Sequence, residues 1–466
     1  MAIRLSDQQV VQATGGTRTR IGPRASYDAV CTDSRNIEPG CLFVALEGEK
    51  FDAHEFLQQA VEAGAAGVVV KRGKRLKLAE PNCAIYEVAD TLHALGAIAR
   101  FHRQRFKIPV GAVTGSNGKT TTKELIAAIL STRGPVLKTH GNLNNEVGVP
   151  LTLFGLEPRH VAAIVEMGMN HPGEIARLTD IARPDAGLIT VVQPAHLEGC
   201  GSIDGVAKAK GELFHGLGPH ATAVVNLDDA RVAGQAKNLA ARTLTFGRSK
   251  DAEVRLALVE PHGRDGLSIR IAHQGREYPI ALRLVGDHNA LNATGAFALA
   301  LALGYSAEEC VRGLESAQAH ARRLEIVDAP NGVTVVDDCY NANPASMTAA
   351  LGTLAQLAVE GRGVAVLGDM LELGASEADE HRRMGVTASD KAALVAFFGP
   401  RMKAAHEEAA KKLGDRAAHF EDVAALVAWL EPQLVQGDVV LVKASRGMRL
   451  ERVVEALTGR AGQGGH

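Results

Sequence analysis

Aromatic residues are scarce in this chain: Phe, Trp and Tyr together make up 4% of 466 residues, with a single Trp. The core is therefore expected to be aliphatic, and the 49 glycines imply many tight turns. The six cysteines, Cys31, Cys41, Cys83, Cys200, Cys310 and Cys339, are scattered and contain no C-x-x-C pair. A chain of this length buries its core without disulfides, so reduced thiols and a cytoplasmic location are expected. Charge of one sign is also lacking. Lys plus Arg number 51 and Asp plus Glu 53, a net charge of −2, which excludes the basic surface that a nucleic-acid partner requires. The first residues, Met-Ala-Ile-Arg-Leu-Ser-Asp, carry no apolar run of the signal-peptide kind. The uncharged stretch His288 to Ala307 is interrupted by Asn289, Asn292, Thr294 and two glycines, and reads as a buried helix of a soluble protein. No membrane insertion is expected.

What is present is the usage of a globular protein, 46% hydrophobic and 22% charged. At about 100–200 residues per domain the length predicts three domains. In residues 1–108 the strand candidates are Cys41 to Leu46 and Gly67 to Val70. A helix is expected around Glu55 to Ala63, then a basic loop from Lys71 to Lys77. A second helix follows, from about Thr91 to Gln104, with Arg and His on its exposed face. Residues 109–321 alternate β and α patterns, with strands at Val110 to Thr114, Ala162 to Glu166, Gly187 to Val192 and Thr222 to Asn226. That alternation predicts a mostly parallel sheet covered by helices. From Glu253 to Leu284 the period becomes two, which predicts an antiparallel patch. Helices are expected at Asn289 to Leu303 and Ala307 to Ser316. Residues 322–466 form a third α/β unit, Rossmann-like but without a dinucleotide fingerprint. Its strands are Val333 to Asp337, Gly363 to Gly368, Ala393 to Gly399 and Asp438 to Lys443. The glycine-rich tail after Thr458 is expected to fray.

The segment Thr114-Gly115-Ser116-Asn117-Gly118-Lys119-Thr120-Thr121-Thr122 ends an apolar strand and opens a helix. Backbone N–H groups of such a turn point at phosphates, Lys119 reaches the β/γ oxygens, and the Thr120 hydroxyl is placed to hold Mg²⁺. The spacing departs from the common phosphate-loop pattern, because Val113 stands where its first Gly would be. Glu166 ends the neighbouring strand and reads either as a Mg²⁺ ligand or as an exposed strand end. Gly216-Leu-Gly218 precedes its strand, unlike a dinucleotide-binding turn. His54-Glu55 and His406-Glu407 lack the second His of a zinc-protease helix. No N-K-x-D guanine reader is present, so the expected nucleotide is ATP.

The T-G-S-N-G-K-T-T loop resembles that of the Mur ligases and folylpolyglutamate synthetases. Further stretches resemble the D-alanyl-D-alanine-adding branch of the Mur ligases: GNLNNEVGVPLTL (Gly141 to Leu153), AHLEGCGSIDGVAKAKGELF (Ala195 to Phe214), DDCYNANPASM (Asp337 to Met347) and LGDMLELG (Leu367 to Gly374). KASRGMRLE (Lys443 to Glu451) and GCLFVALEGEKFDAHEF (Gly40 to Phe56) fit as well, so the resemblance spans all three proposed domains. Ala53 and Cys200 depart from the pattern.

The resemblance implies an ATP-dependent ligase that joins UDP-N-acetylmuramoyl-tripeptide to D-Ala-D-Ala through an acyl phosphate, in a small-molecule site of a monomer. It implies two Mg²⁺ sites, with Lys119 and Thr120 serving the γ-phosphate and the first ion, and Glu166 and His196 as ligands of the second. Lys210 resembles the family's carbamylated lysine, whose carbamate is an anion that binds metal and steadies the acyl phosphate. Lys208 competes with it but points to another helix face, whereas Lys210 lies four residues before Phe214, as the family spacing has it. Asn289, Asn292, Arg323 and Asp338 resemble nucleotide contacts. Asp33, Ser34, Arg35, Asn142 and Asn145 resemble UDP-substrate contacts, and Tyr340, Asn341 and Asn343 dipeptide contacts. The implied division is substrate holding in 1–108, ATP chemistry in 109–321, and closure with dipeptide binding in 322–466. Two rivals remain at this point: a binding protein switched by ATP, and a ligase of the same chemistry acting on another substrate.

Overall fold

The computed structural model describes residues 3–48, 51–79, 82–194 and 197–460. Three large sheets are arranged along the chain, besides a two-stranded pairing of Leu5–Ser6 with Ser26–Tyr27. The first contains β1 (Thr17–Arg20), β2 (Val30–Cys31), β3 (Leu42–Val44), β4 (Gly67–Lys71) and β5 (Ala84–Val88), in the order β1-β5-β4-β3-β2. Only the β1–β5 pairing is antiparallel. Helix α1 (Thr91–Arg103) follows, capped by the Asp90 carboxylate, which accepts from the His93 N–H.

The second sheet has nine strands: β6 (Val110–Thr114), β7 (Val136–Lys138), β8 (Ala162–Glu166), β9 (Ala186–Ile189), β10 (Thr222–Asn226), β11 (Arg242–Gly247), β12 (Val254–Pro261), β13 (Leu267–His273) and β14 (Arg276–Leu282). Their order is β14-β13-β12-β11-β10-β9-β6-β8-β7. Strands β7 to β12 and β6 pair in parallel, and β6, β8, β9 and β10 are buried almost throughout on both faces, which is why they read as apolar runs. The expected period-two patch forms the antiparallel β12-β13-β14 meander. From β6 the chain runs first to β7 and β8 on one side and then to β9 on the other. Strand β6 is thus the topological switch point, where the crevice beyond the carboxyl ends of the strands takes ligands in sheets of this kind. Helix α2 (Lys119–Leu130) starts from that crevice. Helices α3 (Gly148–Phe154), α4 (Glu174–Ala182), α5 (Ile203–His215) and α6 (Asp287–Ala302) cover the sheet.

Helix α1 packs on α3 and α4, and this corrects the expectation of an exposed basic face. His102 and Arg103 are buried, because the last turn of α1 is wedged between the first sheet and the second sheet's helices. Arg103 Nε donates to the Ala182 carbonyl and His102 Nε2 to the Leu156 carbonyl.

The third sheet contains β15 (Glu325–Asp328), β16 (Thr334–Asp338), β17 (Gly363–Gly368), β18 (Leu394–Phe398), β19 (Ala417–Phe420) and β20 (Val439–Lys443), in the order β15-β16-β20-β17-β18-β19. All pairs but β15–β16 are parallel. Helix α7 (Pro344–Leu357) follows β16, with Asn343 as its N-cap and Pro344 in the first turn. Helix Glu451–Thr458 ends at Gly459, in the left-handed conformation of a helix stop. The remaining tail, 461–466, lies outside the described residues. Among the described residues no helix is long and apolar enough to cross a membrane.

Candidate active site

The carboxyl ends of β6 and β8 face those of β16 and β20 across a cavity of about 550 Å³. On the second sheet's side the phosphate loop supplies Ser116 to Thr121. Gly115 has φ +147 and Gly118 φ +80, conformations that side chains rarely adopt. A Cβ on Gly118 would lie 2.5 Å from Asn292 Oδ1, so the loop lies directly against α6. Asn292 in turn donates from Nδ2 to Asn289 Oδ1 at 3.0 Å, which confirms that these two amides share a face. Lys119 is half-buried, and its ammonium donates to the Gly115 carbonyl at 2.7 Å, folding the side chain back over the loop. Burial pulls its pKa down, against the opposing pull of the Glu166 carboxylate.

Glu166 is no exposed strand end: it is 3% exposed. Asn144 Nδ2 donates to its Oε1 at 2.9 Å, while Oε2 is buried without a hydrogen-bond partner. A carboxylate oxygen in that condition lacks its usual compensation, and a cation supplies it most directly. Thr120 and Glu166 line one cavity, and their hydroxyl and carboxylate oxygens are the hard donors that suit a divalent ion such as Mg²⁺. Lys210 lies on α5 and is 1% exposed; burial, and then the nearby Lys119 charge, hold its amine well below the ordinary lysine range. His196 lies outside the described residues.

The third sheet's side brings Arg323, Asp338, Tyr340, Asn341 and Asn343 to the same cavity. Arg323 is half-buried. Its Nη2 donates to Thr120 Oγ at 3.1 Å, and its guanidinium carbon lies 3.9 Å from the centre of the Tyr340 ring. Its two neighbours, Arg322 and Leu324, both have positive φ, 61° and 54°, so the backbone is bent sharply on either side of it. Asp338 Oδ2 accepts from Lys443 Nζ at 2.6 Å in a buried ion pair, and Lys443 also donates to the Asn341 carbonyl. Asn343 exchanges hydrogen bonds with Asn117 of the phosphate loop, at 2.8 and 3.2 Å, while its Oδ1 also caps α7.

Several expected contacts are placed elsewhere. Thr114 is fully buried and its hydroxyl donates to the Met167 carbonyl, so it supports the strand end and does not line the cavity. Gly115 contributes its carbonyl to Lys119, and the Ser116 hydroxyl is engaged with the backbone of Gln193. Asn142 and Asn145 reach the cavity rim, although Asn145 Oδ1 accepts from the Val147 and Gly148 N–H groups at the start of α3. Asp33, Ser34 and Arg35 do not line the cavity. There Arg35 grips the Asp33 carboxylate with two nitrogens and holds its pKa down at about 2.

Sequence reasoning missed Asn144 and Lys443. Asn144 sits in the quoted G-N-L-N-N run, but nothing local distinguishes the amide that faces a carboxylate from its neighbours. Lys443 is the single charge closing the apolar run Val439 to Val442, a signal of a strand-end functional group comparable with that of Glu166.

Family comparisons agree along the chain. Residues 26–103 match the Mur ligase family catalytic domain, 113–300 the Mur ligase middle domain, and 322–446 the Mur ligase glutamate ligase domain. The UDP-N-acetylmuramoyl-tripeptide–D-alanyl-D-alanine ligase of Escherichia coli K12 is 39% identical over 440 residues, 94% of this chain and 95% of that protein. The same-named ligase of Bacillus subtilis is 36% identical over 92% of both chains. Among solved structures, MurF from Acinetobacter baumannii superposes with a TM-score of 0.89 at 34% identity, covering 98% of this chain and all of that one. MurF ligase from Thermotoga maritima, crystallised with ADP, gives 0.82 at 28% identity over 92% and 96%. Matches to each of its three units, and relatives aligned over almost its whole length, establish that the chain belongs to the Mur ligase family.

Proposed function

We propose that this enzyme joins D-Ala-D-Ala to UDP-N-acetylmuramoyl-tripeptide at the expense of ATP, giving the UDP-N-acetylmuramoyl-pentapeptide precursor of peptidoglycan, ADP and phosphate. The observation that carries this reading is the meeting of Arg323 with Thr120. It joins the phosphate loop to a second α/β unit across a cavity large enough for the reacting ends of three substrates. The near full-length relatives that bear this activity in their names support the choice of substrates.

A carboxylate is a poor electrophile, and phosphorylation turns one of its oxygens into a leaving group. The tripeptide carboxylate attacks the γ-phosphate to form an acyl phosphate and ADP. The dipeptide amine then attacks the acyl carbon, and the tetrahedral intermediate expels phosphate. Lys119 and the N–H groups of the loop hold the phosphates, and Arg323 faces the charge that gathers on the transferred group. Glu166, Thr120 and His196 are the residues that would hold Mg²⁺, which shields the phosphate charge when bound. Lys210, buried with a lowered pKa, favours the neutral amine that carbamylation requires. Asn289, Asn292 and Asp338 are assigned to the nucleoside, and Asp33, Ser34 and Arg35 to the UDP-sugar. In this reading residues 1–108 hold the UDP substrate, 109–321 carry the ATP chemistry, and 322–466 close on it. The enzyme works as a cytoplasmic monomer.

The test is phosphate release from MgATP. It should require UDP-N-acetylmuramoyl-tripeptide and D-Ala-D-Ala together, with pentapeptide seen by mass spectrometry. Brisk release with either substrate omitted would sink the proposal.

A further inference from the structure

Four lysine and arginine side chains line the cavity, and three are already engaged: Lys119 with the Gly115 carbonyl, Arg323 with Thr120, and Lys443 with Asp338. The fourth, Arg446, is exposed and makes no hydrogen bond or ion pair with any described residue. The centre of the Tyr340 ring lies 5.5 Å from its guanidinium carbon. An unpaired guanidinium at the wall of a substrate cavity has all its donors available for an incoming anion.

The mount of Arg446 is rigid although its head is free. It opens the turn Arg446–Met448 directly after Ser445, which is 4% exposed. The Ser445 N–H donates to the Asp369 carbonyl at 3.1 Å, and its hydroxyl accepts from the Leu371 N–H at 3.0 Å. Backbone placement is therefore fixed before any ligand arrives, and only side-chain rotamers remain to be ordered.

Distance selects the anion. Both Arg323 and Arg446 lie within 5.5 Å of the same ring centre, and Arg323 reaches Thr120 on the phosphate loop. A dipeptide spans roughly 7 Å from amine to carboxylate. An amine placed at the transferred phosphate beside Arg323 thus leaves its carboxylate in reach of Arg446. The side chains of Ala342, Ala345, Ala349, Leu371 and Leu373 line the same cavity and offer apolar surface of a size suited to two methyl groups.

We infer that Arg446 binds the terminal carboxylate of the dipeptide and makes the site select an acceptor that ends in a free acid. This inference rests on the ligase reading above, which it refines: the carboxylate goes to Arg446, while Tyr340 serves both arginines as a stacking surface.

The experiment compares D-Ala-D-Ala with D-Ala-D-alaninamide as acceptors, measuring pentapeptide or its amide by mass spectrometry in the natural enzyme, Arg446→Ala and Arg446→Lys. The natural enzyme should prefer the acid by about 10–100-fold in kcat/KM, the range of a charge-assisted pair. In Arg446→Ala the preference should collapse towards unity, because the acid loses rate while the amide keeps its own. Arg446→Lys should restore part of it, and KM for ATP and for the UDP-tripeptide should stay unchanged. The amide rate of Arg446→Ala doubles as the check that the variant is folded. A preference that survives in Arg446→Ala would overturn the assignment, as would an effect confined to KM for ATP or for the UDP-tripeptide. A natural enzyme that joins neither acceptor would instead overturn the ligase reading itself.

Discussion

Arg323 donates to the Thr120 hydroxyl at 3.1 Å, a contact between residues 203 positions apart that ties the third sheet to the phosphate loop. In the proposed function this hydroxyl serves Mg²⁺ and Arg323 serves the phosphates. The bend at Arg322 and Leu324 and the Tyr340 ring keep the guanidinium there. In that reading MgATP draws the guanidinium from the hydroxyl to the phosphates, within the one cavity that both residues line.

Arg323→Ala should therefore lower kcat by about 100-fold or more, the scale of losing one donor aimed at developing charge. Arg323→Lys should recover little, because an ammonium has neither the planar fork nor the stacking face that Tyr340 meets. Steady-state kinetics with saturating substrates check this; near-normal kcat in the lysine variant would contradict it.

Asn144 fixes one oxygen of Glu166, a residue of the cavity lining, and the other oxygen has no hydrogen-bond partner. We predict that Asn144→Leu raises the Mg²⁺ concentration for half-maximal phosphate release by about 10-fold or more, as losing a partner that orients a metal ligand commonly does. An unchanged Mg²⁺ dependence would remove Asn144 from the site.

Lys210→Ala should abolish turnover. If its carbamate is the working form, small carboxylic acids such as formate or acetate should restore measurable activity in this variant and none in Lys119→Ala. Equal restoration in both, or in neither, would argue against the carbamate.

His102 bears on stability. It is 1% exposed at the contact of α1 with the second sheet's helices; Nε2 donates to Leu156, and Nδ1 has no partner. Burial pushes its pKa down to about 4, from an ordinary value of 6.5. As pH falls the unfolded chain takes up this proton before the folded one. The stabilisation is complete above about pH 6.5 and is lost as pH falls towards 4, about 3 kcal/mol in all. Thermal unfolding midpoints of the natural protein should drop more between pH 7 and pH 4.5 than those of His102→Leu. Parallel pH profiles would contradict this.

Much of the fold was legible because buried parallel strands must be apolar along their length. Val110–Thr114, Ala162–Glu166, Thr222–Asn226 and Gly363–Gly368 were read to the residue for that reason. Strand β1, Thr-Arg-Thr-Arg, was not, since it is exposed at a sheet edge and its pairing with β5 is visible only in three dimensions. Helix α7 offered little periodicity to read, being apolar on most sides. At the site, the strand, turn and helix around Gly115 to Lys119 and the strand-end position of Glu166 were legible from the local pattern. The burial of His102 and the partners of Arg323, Asp338 and Asn343 were not, because each depends on an element far away in the chain. Arg446 was quoted within a motif, yet its freedom became visible only once its neighbours' partners were known.

The most direct measurement of the central claim follows oxygen. UDP-N-acetylmuramoyl-tripeptide labelled with ¹⁸O in its reacting carboxylate is turned over with D-Ala-D-Ala and MgATP, and the released phosphate is weighed by mass spectrometry. Attack of the carboxylate on the γ-phosphate predicts one ¹⁸O in phosphate for each amide formed from doubly labelled substrate. Unlabelled phosphate released alongside pentapeptide would contradict the acyl-phosphate route.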